Sequence, residues 1–146
     1  MAGSNSRKTL VALLGYLIAI GVVILAVVIT VKLLKNENAK KTLPMTISVT
    51  EASTRFAAGA FLLDVREQSE WNTAHIQGAV LIPLGQLSSR LSEIPTDRDV
   101  LIICHSGNRS AQARDQLRAA GYLNTTSIDG GMTAWIAAGL PVVTGP

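Results

Sequence analysis

The chain has 146 residues, a net charge of +3 and a hydrophobic fraction of 48%, a length that points to one ordinary domain. Its single cysteine excludes an intramolecular disulfide framework and any multi-cysteine metal site, and a lone thiol fits a reducing compartment. Residues 1–41 carry six Lys and Arg against Glu37 alone, leaving +5, whereas residues 42–146 carry seven Arg against nine Asp and Glu, leaving −2, so the folded part lacks the basic footprint of a nucleic-acid binder.

Residues 1–9 form a short N-terminal segment containing Arg7 and Lys8. Residues 10–31 (LVALLGYLIAIGVVILAVVITV) are 22 positions without a charge. At 1.5 Å per residue such a helix covers the ~30 Å hydrocarbon core of a bilayer. A cleaved signal peptide has a shorter apolar run of about 7–15 residues and a small-x-small cleavage site. Here Lys32, Leu33, Leu34 and Lys35 stand in that place. The expectation is a retained single-pass transmembrane helix in contact with the lipid bilayer. Arg7 and Lys8 precede it, and Lys32, Lys35, Lys40 and Lys41 follow. The positive-inside rule then puts the C-terminal domain in the cytoplasm, at the inner membrane if the source is bacterial. Residues 32–44 read as a basic linker ending at Pro44, and residues 45–146 as the soluble domain.

Within that domain short apolar runs alternate with helical stretches. Residues 47–49 predict a strand, and residues 50–58 a helix with Thr50 as its N-cap and Glu51 in its first turn. Residues 61–65 (FLLDV) predict a buried strand, 68–72 a short helical turn, and 79–82 a strand closed by Pro83. Residues 84–93 form an amphipathic stretch with Leu84, Leu87, Leu91 and Ile94 on one face. Residues 100–103 (VLII) predict a strand buried on both faces, as in a parallel sheet. A helix over 110–120 ends at Gly121, a strand covers 126–128, and a last helix covers 131–138 before Gly139 and Pro141. The alternation predicts an α/β fold with a mainly parallel central sheet flanked by helices. Ligands in such sheets bind beyond the carboxyl ends of the strands, after Asp64, Ile103 and Ile128.

The chemistry concentrates in VLIIC-HSGNR-SAQARDQL. A buried strand ends at Cys104, five residues follow, and a helix begins. The loop's backbone N–H groups and the first free N–H groups of the helix can converge on the thiol, an array that favours an anion. Gly107 permits a positive φ in the tight wrap, and Arg109 adds a fixed positive charge at the rim. A cysteine in this field has a lowered pKa. The same donors would hold a terminal persulfide sulfur, which is the physical case for sulfur transfer.

The segment CHSGNRS, the upstream LLDVREQSEWNTAHIQGAVLIPL and the downstream DGGMTAWIAAGLPV together resemble a single-domain rhodanese over roughly residues 45–143. The resemblance implies a rhodanese-like α/β fold with a central parallel sheet. It implies a small sulfur-donor anion such as thiosulfate, or a persulfidated protein, and a thiol or cyanide acceptor. It gives the catalytic role to Cys104 and loop roles to His105, Ser106, Gly107, Asn108, Arg109 and Ser110. Cysteine phosphatases place their arginine six positions after the cysteine. That position here is Ser110, and Arg109 lies five after Cys104, so the loop suits one sulfur atom rather than phosphate.

Asp64 and Arg66 read either as a structural ion pair or, from the resemblance, as a brace of the active loop, with Arg66 attracting anionic donors. His75 reads as a structural histidine. His105 either tunes the thiolate or faces solvent. Gly130 and Gly131 allow a tight strand-to-helix turn, and Trp71 and Trp135 read as core anchors. No Gly-rich nucleotide loop and no metal-ligand cluster stands in the sequence, so neither cofactor nor metal is expected. The anchor motivates a second reading, a membrane-tethered interaction or sulfur-relay module with a membrane-protein partner and little turnover of small donors.

Overall fold

The computed structural model describes residues 4–39 and 42–146. Residues 1–3 of the expected N-terminal segment and residues 40–41 of the expected linker lie outside them. The chain divides into two units, 1–41 and 42–146.

The first unit is one helix, α1 (Ser4–Ala39). It extends beyond the apolar run at both ends. Neither flank contains Pro or Gly from Ser4 onward, and the C-terminal flank, residues 32–39, carries Lys, Leu, Glu and Ala, residues that lose little on entering a helix. The polar stretch 36–39, expected in the linker, is therefore helical. Every described side chain from Gly15 to Lys32 is exposed, and that window has a mean hydropathy of 2.4.

The second unit is built on a five-stranded sheet in the order β1-β5-β4-β2-β3. The strands are β1 (Thr46–Ile47), β2 (Phe61–Asp64), β3 (Val80–Leu81), β4 (Val100–Ile103) and β5 (Thr125–Ile128). All four pairings are parallel. The helices are α2 (Val49–Ala57), α3 (Gln68–Thr73), α4 (Asn108–Ala119) and α5 (Gly131–Ala137). The alternation read from the sequence and the parallel sheet it predicts are both present.

Strand β4 lies at the centre of the sheet, and its four residues are all buried. Side chains alternate across a strand. Val100 and Ile102 accordingly pack with Leu63, Leu87, Ala113 and Leu117 on one face. Leu101 and Ile103 pack with Ala52, Ile128, Met132 and Trp135 on the other. Continuing that parity, Cys104 falls on the first face, the one covered by α4. The register Asp64↔Ile103 brings the ends of β2 and β4 level.

Three local readings change. Helix α2 starts one residue early because Ser48, not Thr50, is the N-cap, its hydroxyl accepting the Glu51 N–H at 3.2 Å. The sequence Ser-Val-Thr-Glu is the capping signature with Glu at the third helical position, and it shortens the preceding strand to two residues. The amphipathic stretch 84–93 is two short 3-10 segments, Leu84–Ser89 and Leu91–Glu93, broken at Arg90. Gly85, Ser88 and Ser89 are poor α-helix residues, while the three-residue spacing of Leu84 to Leu87 and of Leu91 to Ile94 suits a 3-10 period. Leu87 and Ile94 are buried, and Leu84 and Leu91 pack against the same core. Helix α4 begins at Asn108, two residues earlier than expected, so its first turn belongs to the loop after Cys104.

Candidate active site at Cys104

Cys104 follows β4 directly and is 1% exposed. The chain leaves the strand, wraps the sulfur and enters α4 through Gly107, whose φ is +105°. The Gly107 N–H donates to Cys104 Sγ at 3.1 Å. Sγ also lies 3.6 Å from Ser110 Oγ, to which the thiol donates, while the Ser110 hydroxyl donates to Gly107 O at 2.9 Å. Burial in the apolar sheet pushes the thiol up. Hydrogen bonding with Ser110, at its N–H and at its hydroxyl, and from the N–H groups of Gly107 and Ser106 outweighs that effect and holds it below an ordinary thiol. Ser110 is fully buried beside the sulfur; His105, Ser106 and Asn108 are exposed on the outer side of the wrap.

The loop is fixed from behind by α5. The Met132 N–H donates to Cys104 O at 2.8 Å, and the Thr133 N–H to His105 O at 3.1 Å. The Thr133 hydroxyl donates to the same His105 carbonyl at 3.0 Å. These are the otherwise unpaired first N–H groups of a helix. They reach the loop because Gly131, at φ +55°, lets α5 approach closely: a Cβ there would collide with Cys104 O and lie 2.8 Å from His105 C. Gly130, at φ +67°, completes the turn.

Arg109 projects from the first turn of α4 onto α3. Its Nη1 and Nη2 donate to the two Glu70 carboxylate oxygens, each at 2.7 Å. The rim charge expected of Arg109 is therefore matched by a carboxylate. Arg109 holds the Glu70 carboxyl at about 2, with a further contribution from the Glu67 backbone N–H and opposition from burial. Glu70 in turn accepts the Glu67 N–H at 3.1 Å, in a capping box at the start of α3.

Asp64 and Arg66 form a buried ion pair behind α3, 1% and 3% exposed. Arg66 Nε and Nη2 donate to the Asp64 carboxylate at 2.6–3.0 Å. Nη2 also donates to Ala74 O at 2.8 Å, and Nη1 reaches Glu70 O at 3.4 Å. The guanidinium is largely consumed by these contacts, which brace α3 and through it Glu70 and Arg109.

Glu70 is the site residue that the sequence reading missed. A positive side chain in the first turn of a helix opposes the helix dipole, so Arg109 called for a carboxylate. Nothing in the sequence, however, ties it to a glutamate 39 positions away. His75 is structural as expected, with Nδ1 3.1 Å from Trp71 O and backbone pairing to Val143. Trp71 is not a core anchor: it is half-buried and stacks on His75 with ring centroids 3.9 Å apart. Trp135 is in the core. A cavity of about 440 Å³ adjoins the loop, lined by His105, Met132, Thr133, Ile136, Thr73 and Ala74 together with Arg66 and Glu70.

Residues 48–138 match the family described as Rhodanese-like domain. The chain is similar to a sulfurtransferase of Allochromatium vinosum, 43% identical over 82 residues that cover 56% of this chain and 77% of that one. It is also similar to thiosulfate sulfurtransferase 18 of Arabidopsis thaliana, 33% identical over 117 residues covering 68% and 84%. The crystal structure of a rhodanese-related protein from Thermoplasma volcanium superposes with a TM-score of 0.64 at 33% identity, over 68% of this chain and 98% of that one. Other curated relatives are longer, and this chain spans 40% of one and 19% of another.

Proposed function

We propose that this chain, which belongs to the rhodanese-like domain family, is a sulfurtransferase that carries sulfane sulfur as a persulfide on Cys104. The observation that carries this reading is the set of backbone N–H donors around Sγ, those of Gly107, Ser106 and Ser110, with the Ser110 hydroxyl beside them. Such a cradle favours a thiolate and equally an anionic sulfur attached to it.

The transfer balances without an outside oxidant. The Cys104 thiolate attacks the outer sulfur of a donor, thiosulfate or a persulfide, and a sulfur–sulfur bond to Cys104 forms. The donor's own bond to that sulfur breaks, and its electron pair leaves with sulfite or with the donor thiolate. The new terminal sulfur is anionic and takes the N–H groups in place of water. A thiol acceptor, as thiolate, or cyanide then attacks that sulfur and restores the Cys104 thiolate. Ser110 serves both states, because its hydroxyl can turn from Gly107 O to the sulfur. His105, Asn108 and Arg109 line the approach, and Asp64 and Arg66 support the loop through α3. The short spacing from Cys104 to Arg109 supports sulfur rather than phosphate as the group held.

Residues 10–31 serve in this proposal as a single-pass anchor, with residues 1–9 before it, 32–44 as linker and 45–146 as the cytoplasmic domain. The apolar, exposed window of α1 supports this, and the excess of Lys after the helix supports the orientation. The same helix favours a second reading, a tethered sulfur-relay or interaction module serving a membrane-protein partner. Small-molecule turnover alone needs no tether.

Replacing the nucleophile tests the main reading. Cys104→Ser should abolish persulfide formation and transfer while the far-ultraviolet spectrum stays unchanged. Retained transfer in that variant would remove Cys104 from the mechanism. Under the second reading, a membrane protein would co-purify with Cys104→Ala and wild type alike.

A further inference from the structure

The charges around Cys104 constrain the donor further. Residues 42–146 contain no lysine. Of their seven arginines, six are in ion pairs: Arg55 with Glu51 and Asp99, Arg66 with Asp64, Arg90 with Glu93, Arg98 with Asp97, Arg109 with Glu70 and Arg114 with Asp115. The seventh, Arg118, donates to the carbonyls of Thr125 and Leu43. Arg66, in the cavity wall, and Arg109, in the loop after Cys104, are both engaged. Arg66 is buried against Asp64, and Arg109 is held by both oxygens of Glu70. Arg109 holds the Glu70 carboxyl at about 2, so Glu70 remains a charged partner for Arg109 near neutral pH. The approach thus presents a thiolate, a net negative domain and two neighbouring guanidiniums, Arg66 and Arg109, that are each matched by a carboxylate. Beside it lies a cavity of about 440 Å³ with Met132, Ile136 and Ala74 in its wall, roomier than thiosulfate needs and suited to an organic group.

We infer that Glu70 is a specificity-determining residue: by occupying Arg109 it disfavours dianionic donors such as thiosulfate and selects a sulfane-sulfur donor of low charge, an organic persulfide whose apolar part lies against Met132 and Ile136. The inference rests on the Cys104 persulfide reading. The step is the same in chemistry: the thiolate takes the outer sulfur of R–S–S⁻, and R–S⁻ departs, so charge is conserved. A dianion must approach the thiolate against repulsion that no neighbouring guanidinium offsets. Releasing Arg109 would create a charge-assisted site for its oxygens.

Two donors that differ in charge and in an apolar ring separate the possibilities. Thiosulfate is a dianion; benzenethiosulfonate is a monoanion that gives up its outer sulfur and leaves as benzenesulfinate. The full chain in detergent would be assayed with each, as wild type and as Glu70→Gln, a change that keeps a capping side chain on α3. For wild type, kcat/KM with thiosulfate should rise with ionic strength, because salt screens the repulsion, while benzenethiosulfonate shows a weaker rise. Glu70→Gln should raise kcat/KM for thiosulfate relative to that for benzenethiosulfonate by about tenfold, chiefly through the KM for thiosulfate. A fall with salt for thiosulfate in wild type would reveal a working cation and overturn the inference, even if the variant does not fold. An equal loss with both donors in a folded variant would reduce Glu70 to a structural role and overturn it too. Absence of a Cys104 persulfide with either donor would instead fail the underlying sulfurtransferase reading, whereas equal use of both would fail only the specificity.

Discussion

Cys104 sits where two opposing effects meet, burial that disfavours the thiolate and convergent N–H donors that favour it, and the donors prevail. Their convergence depends on single residues behind the loop. Gly131→Ala would force a Cβ against the Cys104 and His105 carbonyls at a positive φ. It should cost at least about 2 kcal/mol and lower transfer, because the loop must move to make room; thermal unfolding and turnover of the variant measure both, and an unchanged Tm would refute the close approach. Glu70 carries a pH signature. Its carboxyl is lowered from 4.5 to about 2 by Arg109, with burial opposing. A carboxyl lowered on folding stabilises the fold above its unfolded value and loses that contribution as pH falls through the folded one. Glu70→Gln should therefore be less stable than wild type at pH 7, by roughly 1 kcal/mol once screening of a partly exposed pair is allowed for. The gap should close between about pH 4.5 and 2. Urea titrations across that range read it, and a gap that persists at pH 2 would contradict the assignment.

The elements act on the site through their ends. Strand β4 delivers Cys104, α4 supplies the cradle from its first turn, α5 pins the loop carbonyls, and α3 carries Glu70 under the brace of Asp64 and Arg66. Loop length is the parameter these ends share. One glycine inserted between Gly107 and Asn108 should reduce sulfur transfer at least about a hundredfold by dispersing the donors, since small misplacements at a reacting centre carry costs of that order; near-normal rates would show that loop size does not matter. The strand, the loop and the helix that follows Cys104 were legible in the sequence. The VLII run marks a buried strand ending at Cys104; that the thiol faces α4 came with the fold. The limits were local competition and distance. Thr50 was expected to cap α2, and the fold places Ser48 there instead. The leucine spacing of residues 84–94 fits both a 3-10 and an α period, and Gly85 with the paired serines decides it. The Glu70–Arg109 and α5–loop contacts join segments far apart in the chain, which no local pattern records.

At the scale of the molecule, the chain joins an apolar helix to a rhodanese-like domain with opposite charge balance on either side of residue 41. If residues 10–31 anchor the chain with the domain in the cytoplasm, protease added to intact cells should leave the domain whole, and protease added after lysis should remove it. Digestion from outside would reverse the orientation. The central claim, sulfur carried on Cys104, is tested most directly by intact mass. The full chain would be weighed before and after exposure to benzenethiosulfonate and to thiosulfate, with Cys104→Ser alongside. The account predicts a gain of one sulfur atom, larger in yield with benzenethiosulfonate, removed by cyanide and absent from the variant. No gain with either donor, or the same gain in Cys104→Ser, would contradict it.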